Sequence, residues 1–108
     1  MVNASSVVVA APVGELDYTR IAEVDAMLAS VPADGRLIVD LSGVAFVDSV
    51  TLSRFVRALR RHEAAGGRLV LADARGPVRR VLAITRLDVV LPYVDDVELA
   101  HDYLRAVG

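Results

Sequence analysis

The chain has 108 residues, 55% of them hydrophobic, a formal net charge of −2 and no cysteine. The length and hydrophobic content predict a single packed domain over residues 1–108, and the absence of cysteine excludes disulfides. A net charge of −2 does not attract nucleic acid, so we expect no nucleic-acid partner. The two histidines, His62 and His101, are too few and too isolated for a metal site, and we expect no cofactor. Because the longest apolar run is far shorter than the ~20 residues of a membrane span, and no signal-peptide pattern begins the chain, we expect a soluble cytoplasmic protein without direct membrane insertion.

The first half of the chain alternates strand and helix signals. Residues 7–11 are a mostly β-branched run that predicts a buried strand, and residues 14–17 predict a turn whose Asp17 caps a helix. That helix runs over about residues 18–30, because apolar side chains recur there at helical spacing. Residues 36–41 predict the second clear strand.

A second helix is predicted to begin in the polar cluster of residues 48–53. Its buried stripe has i, i+3, i+4, i+7 spacing and consists of Leu52, Phe55, Val56 and Leu59. On another face lie Arg54, Arg57 and Arg61, which form either a solvated surface or a docking patch for an acidic partner. His62 is predicted to be a solvated residue near the end of this helix, and His101 a surface residue.

The second half predicts two more strands and two more helices. Gly66 and Gly67 end the second helix before a strand over 68–72, and Pro77 begins a helix that runs to about Thr85. Residues 91–94 predict a short edge strand. The last helix is capped by Asp95 and Asp96, and its buried stripe consists of Val97, Ala100, Leu104 and Val107. The alternation predicts an α/β fold with a mainly parallel central sheet of four or five strands and about four helices.

The cluster at the start of the second helix has two interpretations. Asp48 and Ser49 are ordinary helix caps, but hydroxyls at a helix start are also natural positions for a phosphate that switches a binding surface. A catalytic triad of Ser49, His62 and an aspartate fails, because the first two lie about 20 Å apart along one helix. No phosphate-binding glycine motif occurs, so an enzyme is not expected.

Taken together, the chain resembles STAS domains, and especially the bacterial anti-sigma factor antagonists, over about residues 7–107. The resemblance rests on the order and spacing of several landmarks, none of them specific alone. They are Gly14-Glu15-Leu16-Asp17, Leu37-Ile38-Val39-Asp40-Leu41-Ser42-Gly43-Val44, Phe46-Val47-Asp48-Ser49, Ala65-Gly66-Gly67-Arg68-Leu69-Val70-Leu71, Pro77-Val78-Arg79-Arg80-Val81-Leu82, Leu87-Asp88 and Leu91-Pro92. The family commonly has two strands before the first helix, so residues 1–6 form a short edge strand or are disordered.

The resemblance implies a non-catalytic switch protein that acts in transcription regulation by partner switching. Such a domain docks on an anti-sigma factor that is also a serine kinase of the ATPase-fold class, and docking frees a sigma factor. Phosphorylation at the start of the second helix breaks the complex. The implied partner-binding residues here are Asp48, Ser49, Val50, Thr51, Arg54 and Arg57.

The sequence departs from the family at the phosphorylated position. The family pattern is Asp-Ser-Ser-Gly-Leu-Gly, with the second serine as acceptor, and Val50 occupies that position here. Three alternatives follow: the acceptor has moved to Ser49 or Thr51, docking is constitutive, or the domain belongs to another assembly. Arg86 also stands where the family often has a helix-ending glycine, which costs free energy if its φ is positive.

Two rival functions follow from the same resemblance. One is the cytoplasmic STAS subunit of a lipid-transport ABC system, whose second helix contacts an ATPase and needs no phosphate. The other is a structural scaffold that forms a homodimer or a larger assembly through an exposed strand or the arginine face.

Overall fold

The computed structural model describes residues 7–107, and the expectation for residues 1–6 lies outside that range. A single 3-10 turn at Tyr18–Arg20 precedes the first α-helix. The strands and helices, in chain order, are β1 (Val7–Ala10), β2 (Gly14–Leu16), α1 (Ile21–Ala29), β3 (Arg36–Asp40), β4 (Val44–Val47), α2 (Ser49–Ala64), β5 (Arg68–Ala72), α3 (Gly76–Ile84), α4 (Leu87–Val90), β6 (Tyr93–Val94) and α5 (Val97–Val107). The predicted α/β fold with a parallel central sheet is confirmed.

The central sheet has the strand order β1-β3-β5-β6, and every pairing in it is parallel. Ile38 in β3 pairs with Val9 on one side and Val70 on the other. The two middle strands are fully buried at their centres, which explains why both read as unbroken apolar runs. Within the described residues β6 is an edge strand, as the proline before it predicted.

Helices cover both faces of the sheet because alternate side chains of each strand point to opposite sides. Leu37 and Val39 face the larger core, which also contains apolar residues of α1, α2 and α3. Ile38 faces the smaller core, which it shares with Ala100 and Leu104 of α5. The helix that carries the candidate site therefore packs on the more heavily covered face.

The predicted turn at residues 14–17 is wrong over its first three residues. Gly14–Leu16 form the short strand β2, which pairs in parallel with β4 as a separate two-stranded sheet. The Gly14 N–H donates to the Gly43 carbonyl over 2.9 Å, and its φ of +84° is a conformation that glycine adopts without strain. Because so short a strand begins with a glycine of this conformation, its sequence is the same as that of a turn, and the strand was not predicted.

The C-terminal part of the chain differs from the prediction in an additional short helix and in the burial of its last helix. Leu87–Val90 form the additional helix, α4, directly after Arg86. Arg86 has a φ of +61°, so it adopts the left-handed conformation at the position where the family often has a glycine. The prediction that Val107 is buried is wrong, since 37% of it is exposed. Because it lies at the end of α5, only the middle of that helix is covered by the sheet.

Candidate functional site

The first turn of α2 is fixed by Asp48, which precedes it in an extended conformation. The Asp48 carboxylate accepts the Thr51 backbone N–H over 2.9 Å, and its own backbone N–H donates to the Leu16 carbonyl over 3.2 Å. The Thr51 N–H, with a smaller contribution from the Tyr18 N–H, holds the pKa of Asp48 below its usual range. Asp48 therefore acts as an ionised N-cap that also joins α2 to β2.

Thr51 is a structural residue of this turn. Its side chain is fully buried, and its hydroxyl donates to the Leu16 carbonyl over 2.8 Å. That carbonyl thus accepts two hydrogen bonds, one from Thr51 and one from Asp48. Thr51 orients the start of α2 on β2 and offers no hydroxyl to a partner at the surface.

Ser49 and Val50, by contrast, point into solvent, and 40% of Val50 is exposed. Two exposed aromatic residues lie near this turn along the backbone: Tyr18, whose N–H reaches Asp48, is 71% exposed, and Phe46 of β4, two residues before Asp48, is 43% exposed. We call Tyr18, Phe46, Ser49 and Val50 the helix-start surface. Exposed aromatic and aliphatic side chains around a rigid backbone are typical of protein-binding surfaces.

The three predicted arginines line one side of a groove between α1 and α2. The Arg54 Nε lies 3.7 Å from an Asp25 carboxylate oxygen, and Arg61 donates to the Val31 carbonyl over 3.1 Å. Arg57 is exposed and forms no ion pair with another described residue. Of the two arginines predicted to bind a partner, Arg57 is therefore the more accessible.

The prediction that His62 is a solvated residue is wrong. Its side chain is fully buried, its Nδ1 lies 2.9 Å from the Ala33 carbonyl oxygen, and its Nε2 has no hydrogen-bond partner among residues 7–107. Burial, aided by the charge of Arg61, lowers the pKa of His62, so the neutral imidazole donates from Nδ1. His62 thus joins the end of α2 to the loop before β3. His101 on α5 is partly exposed.

Residues 7–107 contain neither a metal-ion cluster nor a membrane-spanning helix. In that range no three histidine, aspartate or glutamate side chains come together in an arrangement that could hold a metal ion. Nor is any helix there long and apolar enough to cross a bilayer. The distance along α2 separates Ser49 from the buried His62 by about 20 Å, so these two groups form no nucleophile and base pair.

The STAS domain family profile matches residues 1–100. The chain belongs to the STAS domain family. It is similar to the solved anti-sigma factor antagonist of Mycobacterium paratuberculosis, with 29% identity and a TM-score of 0.76 over 92% of this chain and 86% of that one. It is also similar to TM1081 of Thermotoga maritima, described as an anti-sigma factor antagonist, with 25% identity and a TM-score of 0.83 over 92% and 87%. The anti-sigma factor antagonist SpoIIAA in its unphosphorylated form shares the fold, at 24% identity and a TM-score of 0.69 over 97% and 94%.

The sequence accounts for part of the geometry at the start of α2 but not for all of it. Asp48, Ser49 and Val50 lie together at the start of α2, as their order in the chain implies. Tyr18 and Phe46 were missed, because nothing in a single sequence distinguishes an exposed aromatic residue from a buried one. The role of the Leu16 carbonyl was also missed, since a backbone acceptor leaves no signal in residue identity.

Proposed function

We propose that this STAS domain is an anti-sigma factor antagonist, a non-catalytic domain that binds an anti-sigma factor. Its partner would be a serine kinase of the ATPase-fold class, and binding would release a sigma factor in the cytoplasm. The observation that carries the proposal is the helix-start surface, where Val50 and two aromatic side chains are exposed around a turn held by Asp48. Such a surface supplies apolar contact area at little cost in conformational entropy.

The polar surroundings of this surface suit a protein partner. Arg54 and Arg57 lie one and two turns further along α2, and Arg57 is exposed. Arginine forms paired hydrogen bonds with carboxylates, so these side chains would orient a partner on the rim of the interface. Antagonists at 25% and 29% identity with the same fold support this reading.

We further propose that phosphorylation at position 50 does not regulate docking, so that the chain binds its partner constitutively. Valine has no hydroxyl, and the Thr51 hydroxyl is buried and donates to Leu16. Ser49 is the exposed hydroxyl of the first turn that remains. A phosphate there would lie at the positive end of the helix dipole, where it is tolerated, so Ser49 is the alternative acceptor if this domain is regulated.

One observation favours a second candidate function, the STAS subunit of a lipid-transport ABC system. An apolar Val50 at the exposed start of α2 suits permanent contact with an ATPase, which requires no phosphate switch. Purification of the tagged chain from its native cell distinguishes the two, because an ABC ATPase and permease would accompany it instead of an anti-sigma kinase.

A binding experiment with a restored acceptor tests the proposed function. The chain and a Val50→Ser variant are each mixed with the ATPase-fold anti-sigma factors encoded in the same genome, with and without ATP. We expect the unaltered chain to form a complex that persists with ATP and carries no phosphate in the peptide containing Asp48. The Val50→Ser chain should bind without ATP, become phosphorylated and dissociate with it. No complex with any of these proteins would overturn the proposal.

A further inference from the structure

The groove between α1 and α2 combines an apolar floor with a basic wall. Leu28 of α1 and Ala58 of α2 are nearly buried and form part of the floor. The wall consists of Arg54, Arg57 and Arg61, and one carboxylate, Asp25, lies opposite. The groove therefore carries about two excess positive charges, in a chain whose net charge is −2.

Most of the polar groups in this groove already have partners, and Arg57 is the exception. Arg54 faces Asp25, and Arg61 donates to the Val31 carbonyl. Arg57 lies between them along the helix and is exposed, with no ion pair to a described residue. A guanidinium in that position can bind a carboxylate with two parallel hydrogen bonds, and the neighbouring arginines add to its attraction.

The basic wall of the groove and Val50 of the helix-start surface lie on one face of α2. Residues 50, 54, 57 and 61 are spaced by four, three and four, so they form one stripe about 16 Å long on α2. A segment that contacts Val50 at one end of the stripe would lie over the basic wall at the other. The volume of the groove, about 230 Å³, is below the range of small-molecule pockets and suits one or two side chains of a protein.

We propose that the α1–α2 groove binds an acidic, partly apolar segment of a protein, with Arg57 as its central carboxylate-binding residue. A groove of about 230 Å³ with an apolar floor favours such a segment over a free anion, because an apolar side chain can fill the space beside the basic wall. A duplex nucleic acid would need a wider basic surface than one helix stripe. The inference rests on the proposed function for the identity of the partner, but its chemistry can be tested without that partner.

The test is a titration of the isotope-labelled chain, followed by NMR, with a synthetic peptide in which leucine and glutamate recur at helical spacing. A second peptide has glutamine in place of every glutamate. We expect shifts in the amides around Arg57 and Leu28, and affinity for the glutamate peptide at least about fivefold higher, falling as salt rises from about 0.05 to 0.5 M.

Arg57→Glu should lower the affinity for the glutamate peptide by at least about tenfold, and the milder Arg57→Gln should lower it less. Arg60→Glu is the matched control, because Arg60 is exposed on the same helix outside the groove, and it should change the affinity by less than about twofold. Equal binding of the two peptides, an equal effect of Arg60→Glu, or the same shifts with inorganic phosphate alone would overturn the inference. If the peptide titration fails but the chain still binds an anti-sigma factor, only the groove proposal is wrong. If the peptide binds as expected but no anti-sigma factor does, only the proposed function is wrong.

Discussion

The first and last turns of α2 differ in what their polar groups contact. At the first turn, Asp48 and Thr51 bind the helix to β2 and leave Ser49 and Val50 free in solvent. At the last turn, Arg61 and Glu63 are exposed, but His62 faces inward and donates to the Ala33 carbonyl inside the protein. One helix thus presents a surface at one end and anchors the fold at the other. Substitutions at the last turn should therefore change stability, and exposed ones at the first turn should change binding.

Gly67→Ala should have the largest effect on stability. A Cβ at Gly67 would overlap the backbone carbonyl oxygens of Ala33 and Gly35, which cannot move as a side chain could. We expect a loss of about 3 kcal/mol or more in the free energy of unfolding, measured by urea denaturation.

Gly66→Ala is the control one residue earlier. Gly66 has a φ of +80°, but a Cβ there would meet no atom within 4 Å. The cost should be about 1 kcal/mol, which is the strain of a left-handed alanine alone. Equal losses for the two variants would contradict the close approach between α2 and the loop before β3.

His62 should make stability depend on pH at the anchored end. Burial lowers its pKa in the folded state, while the unfolded chain has the usual value of about 6.5. Above that value both states are neutral, and the stability is complete. As the pH falls below it, the unfolded chain takes up a proton that the folded chain resists, so the free energy of unfolding falls.

Urea denaturation between about pH 7.5 and 5.5 measures this dependence. His62→Leu should remove it and cost about 1–3 kcal/mol at pH 7.5, because the Ala33 carbonyl loses its donor. His101→Leu is the control and should keep the pH dependence of the unaltered protein. A His62→Leu chain with an unchanged pH dependence would show that His62 is not held neutral.

Asp48→Ala should have a smaller effect, since it removes one cap from the start of α2. The Thr51 N–H would lose its acceptor, and we expect a loss of about 1 kcal/mol by urea denaturation. Asp48→Asn retains the cap and should cost less than half as much. If Asn and Ala were equally destabilising, the charge of Asp48 would matter more than its hydrogen bond.

The sequence revealed most of the fold because its strong elements have regular patterns. The unbroken apolar runs of β3 and β5 and the capping aspartate of α2 are local signals. The short pair β2–β4 was not predicted, because its stability depends on residues far apart in the chain, such as Leu16 and Val47. Local patterns do not encode such pairings.

The candidate site shows the same division. Asp48 and Val50 were located by their order in the chain, but the burial of Thr51 depends on the distant Leu16 carbonyl. His62 could have been recognised, since it continues the buried stripe of Phe55 and Leu59 at helical spacing. Its polarity concealed that signal, because an imidazole is buried at low cost only where an acceptor such as the Ala33 carbonyl takes a hydrogen bond from its N–H.

The most direct test of the central claim substitutes two exposed valines in turn and measures the affinity of each variant for the proposed partner, an anti-sigma factor. Val50 lies on the helix-start surface, and Val89, which is 77% exposed, lies on a different helix, α4. An acidic residue suits the first turn of a helix, so Val50→Asp should change the free energy of unfolding by less than about 0.5 kcal/mol. We predict that Val50→Asp weakens the complex at least about tenfold by calorimetry, and that Val89→Asp leaves the dissociation constant within about twofold. Equal effects of the two substitutions, or an unchanged affinity of Val50→Asp, would contradict the assignment of the first turn of α2 as the docking surface.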